Sequence, residues 1–479
     1  MPDAGFLKNS GHGADSPAVF DGDTRQWLTH GQLTCRVSAF AQRLQFPRKA
    51  LGFLFARNDV DSLVAYLAAI EAGHAVAMLN PELDEELRAR LIALFRPDFI
   101  IAPRLHSPSS GYREAESPHD GQLLLRSDDP QPHAIHPDLA LLISTSGSTG
   151  SPKLVRLSWR NLESNARQIN QALNNTAEDR TMITAPIFNG YGQSVIHTML
   201  LAGGSLALTR ARLVSREFWD AARDAECNGI GGTPFFYQTL DRLDLNSLDV
   251  PRLKKFVQIG GKMPRHLAAK FHAMLQARGG ELHLMYGQAE ATARISGLPP
   301  ELLPEASGSI GVVLPEGQLR VENEGRKCGL REEGELVYRG PNVMMGYATC
   351  VADLAKGDEL GGRVATGDLG YRDARGLFYV TGRKSRFVKL FGWRVSLDEV
   401  EALLAHAAAV AAVNEQDRVV IYAERPGARF GDEVDQLADR LKLHRSGFEI
   451  REIDAIPRLA NGKVDYRSLA HAEHAATAR

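Results

Sequence analysis

From Ser144 to Lys153 the chain reads Ser-Thr-Ser-Gly-Ser-Thr-Gly-Ser-Pro-Lys, hydroxyls alternating with glycines directly after the apolar run Leu139 to Ile143. Glycine lets backbone come close to a ligand, and exposed N–H groups with Ser and Thr hydroxyls form a concave donor surface suited to phosphate oxygens. Lys153 adds a cation. The loop is not that of the common NTPases, because no Gly-Lys-Ser/Thr occurs. An ordinary Ser/Gly surface loop would explain the composition alone, so the rest of the chain has to decide. Glu290 offers a carboxylate of the kind a hard cation prefers. Tyr286 offers a flat face, although a tyrosine after an apolar strand is more often core. Asp368 is an acceptor-only carboxylate that a turn after Gly367 would also explain. Lys463, in an Asn461-Gly462 turn, is by itself a solvated lysine.

These residues sit in an ordered series of motifs. After the loop come Gly260-Gly261-Lys262-Met263-Pro264, Tyr286-Gly287-Gln288-Ala289-Glu290 and Gly334-Glu335-Leu336-Val337 with Gly340 to Tyr347. Thr366-Gly367-Asp368, Gly382-Arg383-Lys384 and Pro457 to Val464 follow. The series closely resembles that of the adenylate-forming enzymes, the acyl-CoA synthetases, adenylation domains and luciferases, over nearly the whole chain. The resemblance implies activation of a carboxylate by ATP with release of pyrophosphate. It places Thr145, Ser146, Gly147, Ser148, Thr149, Gly150 and Lys153 on the phosphates and Gly260 and Gly261 at the adenine. It further implies that Tyr286 stacks that ring with Gly287 beside it in the ATP/AMP site, Asp368 accepts from the ribose hydroxyls, and Arg383 contacts ribose or phosphate. Glu290 would hold Mg²⁺, and Lys463 would bridge carboxylate and phosphate. That chemistry brings two anions together, so charge placement and alignment dominate it.

Two positions depart from the family pattern. Ala289 replaces the usual threonine, which removes a hydroxyl worth ~1.5–3 kcal/mol to a charged group unless water or a neighbour replaces it, Thr292 being a nearby candidate. Ser385 stands at the hinge, where Asp or Lys is usual.

Positioning these groups requires a sheet-and-helix frame. Apolar runs such as Leu51 to Phe55, Leu139 to Ile143 and Phe256 to Ile259 alternate with helical spacing such as Leu162, Ala166, Ile169 and Leu173. The pattern predicts an α/β protein whose large N-terminal domain has parallel-rich sheets flanked by helices. Leu63 to Leu79 predicts a buried helix running into a strand. Gly334 to Tyr338 and Gly376 to Val380 predict a β-rich subdomain. From Gly382 to Arg394 there are five cations and no acid, and Ser396-x-x-Glu399 has the form of a capping box. The expected boundary therefore falls there, with residues 1–381 binding ATP and acid and residues 382–479 forming a small mobile α+β domain that carries Lys463. The cationic run reads either as a solvated face or as an attractor for ATP and coenzyme A, with the attractor favoured.

The 479 residues are 44% hydrophobic, with 56 Lys and Arg against 58 Asp and Glu. That balance gives no field for nucleic acid or an anionic membrane. Four scattered cysteines, the lack of a signal-like leader and the lack of a spanning segment predict a cytoplasmic protein. Ala185 to Gly192 resembles the family's substrate entrance, with Phe188, Asn189 and Tyr191 as pocket residues. Asn189 is neutral where amino-acid-activating relatives carry an aspartate, which favours a small carboxylic acid without an α-ammonium. Phe235, Phe236 and Tyr237 read either as pocket lining or as core. The chain runs sixteen residues beyond Lys463, so the expected acceptor is separate. Coenzyme A is the first choice, and phosphopantetheine on a discrete acyl carrier protein the alternative. A silent sensor of nucleotide or acyl-adenylate is a third reading, weakly favoured by Ala289 and Ser385 and opposed by the complete set Lys463, Glu290, Asp368 and Arg383.

Overall fold

The computed structural model describes residues 13–103, 111–115, 122–129, 133–144, 153–243, 248–390, 393–415, 418–427, 429–459, 462–466 and 468–469, without the side chains of 387, 389, 393 and 394. The chain divides into two compact units, Met1–Gln318 with Tyr338–Val364, and Leu319–Val337 with Ala365–Arg479.

The first unit holds two large sheets. One is ordered Gly346–Ala348, Leu154–Ser158, Leu139–Ser144, Ala75–Leu79, Leu51–Phe55, Phe99–Pro103, Gln122–Ser127, Tyr112–Ala115. Its centre is parallel, with Leu51 opposite Ala75 and Val76 opposite Leu141. These central strands are near-continuous apolar runs, as burial on both faces demands. The second sheet is ordered Val312–Val313, Ser296–Leu298, Glu281–Tyr286, Lys255–Gln258, Gly229–Gly232, Arg180–Met182, Ser205–Leu208, Pro17–Asp21, Gln26–Thr29. It too is parallel through its middle.

Leu63 to Leu79 folds as expected into the helix Val60–Glu71, capped by Asp59 (2.9 Å to the Ser62 N–H), and the strand Ala75–Leu79. The helix is apolar on nearly every face because its core cluster takes Leu54 and Val76 from one sheet and Leu206 and Leu208 from the other. His74, which interrupts the apolar run, is buried and satisfied: its Nδ1 lies 3.2 Å from the Ala50 amide and its Nε2 2.7 Å from the Leu44 carbonyl. The helix Trp159–Leu173 buries Leu162, Ala166, Ile169 and Leu173, and a reciprocal Ser158–Asn161 capping box starts it. Asn161 also donates to the carbonyls of Pro341 and Val343, each at 2.8 Å, which ties the segment before Tyr347 to this helix.

The second unit contains a sheet ordered Arg326–Lys327, Gln318–Asn323, Gly334–Arg339, Arg363–Arg372, Phe378–Arg383, with an antiparallel last pair. The predicted strand from Gly376 starts later, at Phe378, because Gly376 turns with φ 84°. Farther along, Ala409–Glu415, Arg418–Glu424 and Phe448–Ile453 form a second sheet, and the helices Leu397–Leu404 and Phe430–Leu441 share its apolar core. The capping box at Ser396 is half realised: Ser396 Oγ accepts from the Glu399 N–H at 3.2 Å.

Arg386 is the electrostatic centre of this unit. Its guanidinium pairs with Asp398, reaches Glu401 at 2.6 Å, and lies 3.8 Å from the Tyr466 ring centroid. Glu401 also accepts from the Ala412 N–H at 2.7 Å and the Tyr466 hydroxyl at 3.0 Å. Among the described residues no helix is long and apolar enough to cross a membrane. Removing one partner of a buried pair leaves the other charge uncompensated. Arg386→Ala should therefore destabilise the second unit by about 3–5 kcal/mol, read as a lowered urea midpoint. Arg386→Lys, which keeps the charge but not the fork, should fall between that and the wild type.

Candidate active site

The parallel strands Lys255–Gln258 and Glu281–Tyr286 are direct neighbours, so the glycine turn after the first and the Tyr286 motif after the second emerge side by side. Carboxyl ends of parallel strands are where ligands bind in such sheets. Gly260 turns with φ 87°, and Gln258 Nε2 holds the Gly261 carbonyl at 2.8 Å. Tyr286 is partly buried at the end of its strand. Gly287 has no substitute, since a Cβ there would lie 1.9 Å from the Ala293 carbonyl oxygen and 2.6 Å from the Arg294 Cα.

Beyond it, Ala289–Ala291 makes a short 3₁₀ turn that presents Glu290. Thr292 follows with φ 64° and ψ −62°, and the Ala293 N–H bonds back to the Ala291 carbonyl at 2.7 Å. That is the strained hand of γ-turn, and a β-branched residue rarely occupies it. The Thr292 hydroxyl donates to the Asn342 carbonyl at 2.7 Å, and the residue is buried. Its hydroxyl is therefore committed to the backbone and does not replace the one missing at Ala289, which corrects the sequence expectation.

Lys153 and Glu290 meet through a residue that sequence reasoning assigned no role. Tyr347 donates its hydroxyl to Glu290 Oε1 at 2.9 Å, while Lys153 Nζ sits 3.3 Å from the centroid of the same ring. The register explains the meeting. Tyr347 pairs antiparallel with Val155, two residues from Lys153 and on the same side of the pleat. Burial first, and the Glu290 carboxylate next, push the Tyr347 phenol far up, so it stays a donor. Arg156 fixes this strand: with no exposure it binds the carbonyls of Tyr347 (3.2 Å), Gly357 (3.3 Å) and Lys356, and the Glu359 carboxylate. A charge inside the apolar run Leu154 to Leu157 was the available signal. Among the described residues no group of three or more His, Cys, Asp or Glu could hold a metal. A hard cation at Glu290 would thus complete its shell from phosphate and water, which is how Mg²⁺ is usually held.

In the second unit Asp368 and Arg383 face each other across the strand pair, with Arg383 Nε donating to Asp368 Oδ1 at 3.0 Å. Asp368 is nearly buried and Arg383 mostly exposed. The three cations of the run from Gly382 whose side chains are described are not unbalanced as the local sequence suggests. Lys384 pairs with Glu335 at 3.0 Å, and Arg386 with Asp398 and Glu401, so strands and a helix distant in sequence supply the counter-charge. For Lys384 and Arg386 this corrects the preference for anion attraction. Ser385 is exposed in a turn between two strands. Lys463 is exposed in a tight turn, where its carbonyl accepts from the Leu459 N–H at 2.8 Å and Gly462 takes φ 79°.

Asn189 does structural work. Its side chain accepts from the Gly192 N–H at 2.9 Å as the N-cap of the helix Gly190–Ala202, so its neutrality says little about the substrate. Phe188 packs against the main core, and Tyr191, partly buried against two core clusters, lies 5.5 Å from the Arg294 guanidinium. Phe235 is exposed, whereas Phe236 and Tyr237 are buried, Tyr237 edge-on to Phe271, so the core reading holds for those two. Thr145, Ser146, Gly147, Ser148, Thr149 and Gly150 lie outside the described residues.

The fold is that of the adenylate-forming enzymes. The o-succinylbenzoate CoA synthetase of Bacillus subtilis, in complex with its acyl-adenylate intermediate, superposes with a TM-score of 0.78 over 98% of both chains at 22% identity. The same enzyme in complex with ATP and magnesium ion gives 0.77 over 97% of this chain and 98% of that one at 21% identity. The family described as AMP-binding enzyme matches residues 6–348, and the chain belongs to it. Among curated relatives, a 2-succinylbenzoate–CoA ligase of Geobacillus sp. (strain WCH70) is 29% identical over 347 residues, 68% of each chain. A D-alanine–D-alanyl carrier protein ligase of Staphylococcus aureus (strain bovine RF122 / ET3-1) is 26% identical over 478 residues, 93% of this chain and 94% of its own.

If Asn189 is a cap, Asn189→Ala should cost about 0.5–2 kcal/mol, read in a denaturant midpoint. Asn189→Ser keeps a capping oxygen and should stay within about 0.5 kcal/mol of wild type.

Proposed function

We propose that this protein activates a small carboxylic acid with ATP, forming an acyl-adenylate and pyrophosphate, and then passes the acyl group to the thiol of coenzyme A. The observation that carries this reading is the Lys153–Tyr347–Glu290 cluster beside the Tyr286–Gly287 turn. A cation and a carboxylate are held a ring apart at the strand ends where a polyphosphate and its metal would lie. In this reading Tyr286, Gly287, Gly260 and Gly261 take the adenine, and Thr145, Ser146, Gly147, Ser148, Thr149 and Gly150 take the phosphates with Lys153. Glu290 would hold Mg²⁺, which would supply positive charge to offset that of the phosphates.

Asp368 takes the ribose hydroxyls, with Arg383 as its ion-pair partner already in place. Residues 382–479 move as a domain about Ser385, carrying Lys463 to the α-phosphate for the first half-reaction and away for the second. The exposed turns at Ser385 and Lys463 suit that motion. The relative named as a CoA ligase supports coenzyme A as acceptor. The relative named as a carrier protein ligase, matched over nearly the full chain, supports a discrete carrier with its phosphopantetheine thiol as the second reading. The four free cysteines, scattered along the chain, suit a reducing cytoplasm.

Acid-dependent exchange of labelled pyrophosphate into ATP tests the first step, and no exchange across aliphatic, aryl and amino acids would sink it. Thioester formation with coenzyme A, set against a phosphopantetheinylated carrier, separates the two acceptors. Lys463→Ala should lower exchange by about 10²–10³-fold yet leave thioester formation from supplied acyl-adenylate largely intact. Equal loss of both would contradict the swing.

Tyr347→Phe removes the hydroxyl that orients Glu290 but keeps the ring under Lys153. It should raise the Mg²⁺ concentration for half-maximal exchange about 10-fold or more, as loss of a metal ligand's partner does. Little change in the KM for ATP should accompany it. An unchanged Mg²⁺ requirement would argue against the orientation.

A further inference from the structure

Among the described residues Arg294 is a cation without a counter-ion. It follows the γ-turn at Thr292 and is 2% exposed. Its backbone is fixed on both sides: Asn165 Oδ1 accepts from its N–H at 3.3 Å, and Asn165 Nδ2 (2.9 Å) and Asn342 Nδ2 (3.1 Å) donate to its carbonyl. The side chain is treated otherwise. Nε and Nη1 are buried with no hydrogen-bond partner, and no ion pair reaches the group among the described residues. The neighbours that are seen are the ring of Tyr191, 5.5 Å away, and the imidazole of His283, within electrostatic reach. Burial brings the guanidinium down to about 10, so it keeps its charge at neutral pH.

Natural interiors seldom hold a bare charge, because the desolvation cost is several kcal/mol unless a partner is supplied. Arg156, equally buried in the same unit, shows what the fold does when a guanidinium is structural: carbonyls and a carboxylate surround it. Arg294 has none of that, and its surroundings are the elements that would form an acyl pocket. Gly190, at the start of the helix that carries Tyr191, abuts the Thr292 carbonyl. The Tyr191 hydroxyl lies against Gly231, where a Cβ would stand 2.5 Å from it. The Tyr237 hydroxyl, which interacts electrostatically with Tyr191, is also buried without a hydrogen-bond partner.

We propose that Arg294 is a specificity-determining residue that pairs with a second carboxylate on the acid, remote from the one that is activated, so that the substrate class is dicarboxylic acids. The inference rests on the adenylation reading above and narrows it. The guanidinium fork suits a carboxylate held bidentately, and the substrate supplies the partner that the protein withholds.

The test pairs acids of equal length, succinate with butyrate, adipate with hexanoate and terephthalate with p-toluate, in pyrophosphate exchange by wild type, Arg294→Met and Arg294→Lys. Wild type should prefer the best diacid over its matched monoacid by about 100-fold in kcat/KM. Arg294→Met should abolish that ratio through the diacid KM while turnover of the monoacid stays within about threefold, and Arg294→Lys should restore part of it. Removing an unmatched buried charge should leave Arg294→Met at least as thermostable as wild type. Wild type preferring monoacids, a ratio unchanged in Arg294→Met, or failure of that variant to fold would each overturn the proposal, the last by marking a structural group. Thermal shift by the diacids without ATP keeps the two readings apart. Stabilisation that Arg294→Met loses, with no exchange in either protein, would fault adenylation and keep the role of Arg294.

Discussion

A guanidinium withdrawn from water must find acceptors, and Arg156 finds them in one short stretch of chain. By gathering the carbonyls of Tyr347, Lys356 and Gly357 and the carboxylate of Glu359, it pins the returning strand Gly346–Ala348 to the sheet edge. Tyr347 then has one place to be, between Lys153 and Glu290. Asn161 and Asn342 extend the same logic, fixing the Pro341 and Val343 carbonyls and the backbone of Ala291 and Arg294. The groups with the most chemistry in this unit thus stand on buried polar contacts rather than on apolar packing. Such networks specify one arrangement when fully satisfied.

The two buried arginines among the described residues of this unit divide structure from recognition. They are alike in exposure and differ in company. Arg156 is surrounded by acceptors of the protein itself, whereas Arg294 meets an aromatic face and keeps two nitrogens unbonded. A fold that supplies acceptors so fully in one place and withholds them in another is read most economically as leaving the second for a ligand.

Much of this frame was legible from residue order. Runs such as Leu51 to Phe55 and Leu139 to Ile143 became buried parallel strands, and the spacing from Leu162 to Leu173 became a helix with those residues inward. What escaped depended on partners far along the chain. The cations after Gly382 looked unopposed because Glu335, Asp368 and Glu401 lie in other elements. Asn189 looked like a selector because nothing local distinguishes a pocket amide from a helix cap until the Gly192 N–H is seen beneath it. Tyr347 stood in a recognised motif, yet its task follows from antiparallel pairing with Val155, which periodicity does not encode.

The bend at Thr292 carries a consequence for how this chain can change. Holding a branched residue at φ 64° costs on the order of 1–3 kcal/mol, and the bond to the Asn342 carbonyl helps keep it there. Selection for heat resistance alone would tend to relax that bend, by glycine or by a change at Asn342. Glu290, two residues upstream, would lose the rigid shoulder against which it is aimed, so hardier descendants of this sequence would trade away the aim of that carboxylate for the degrees they gain.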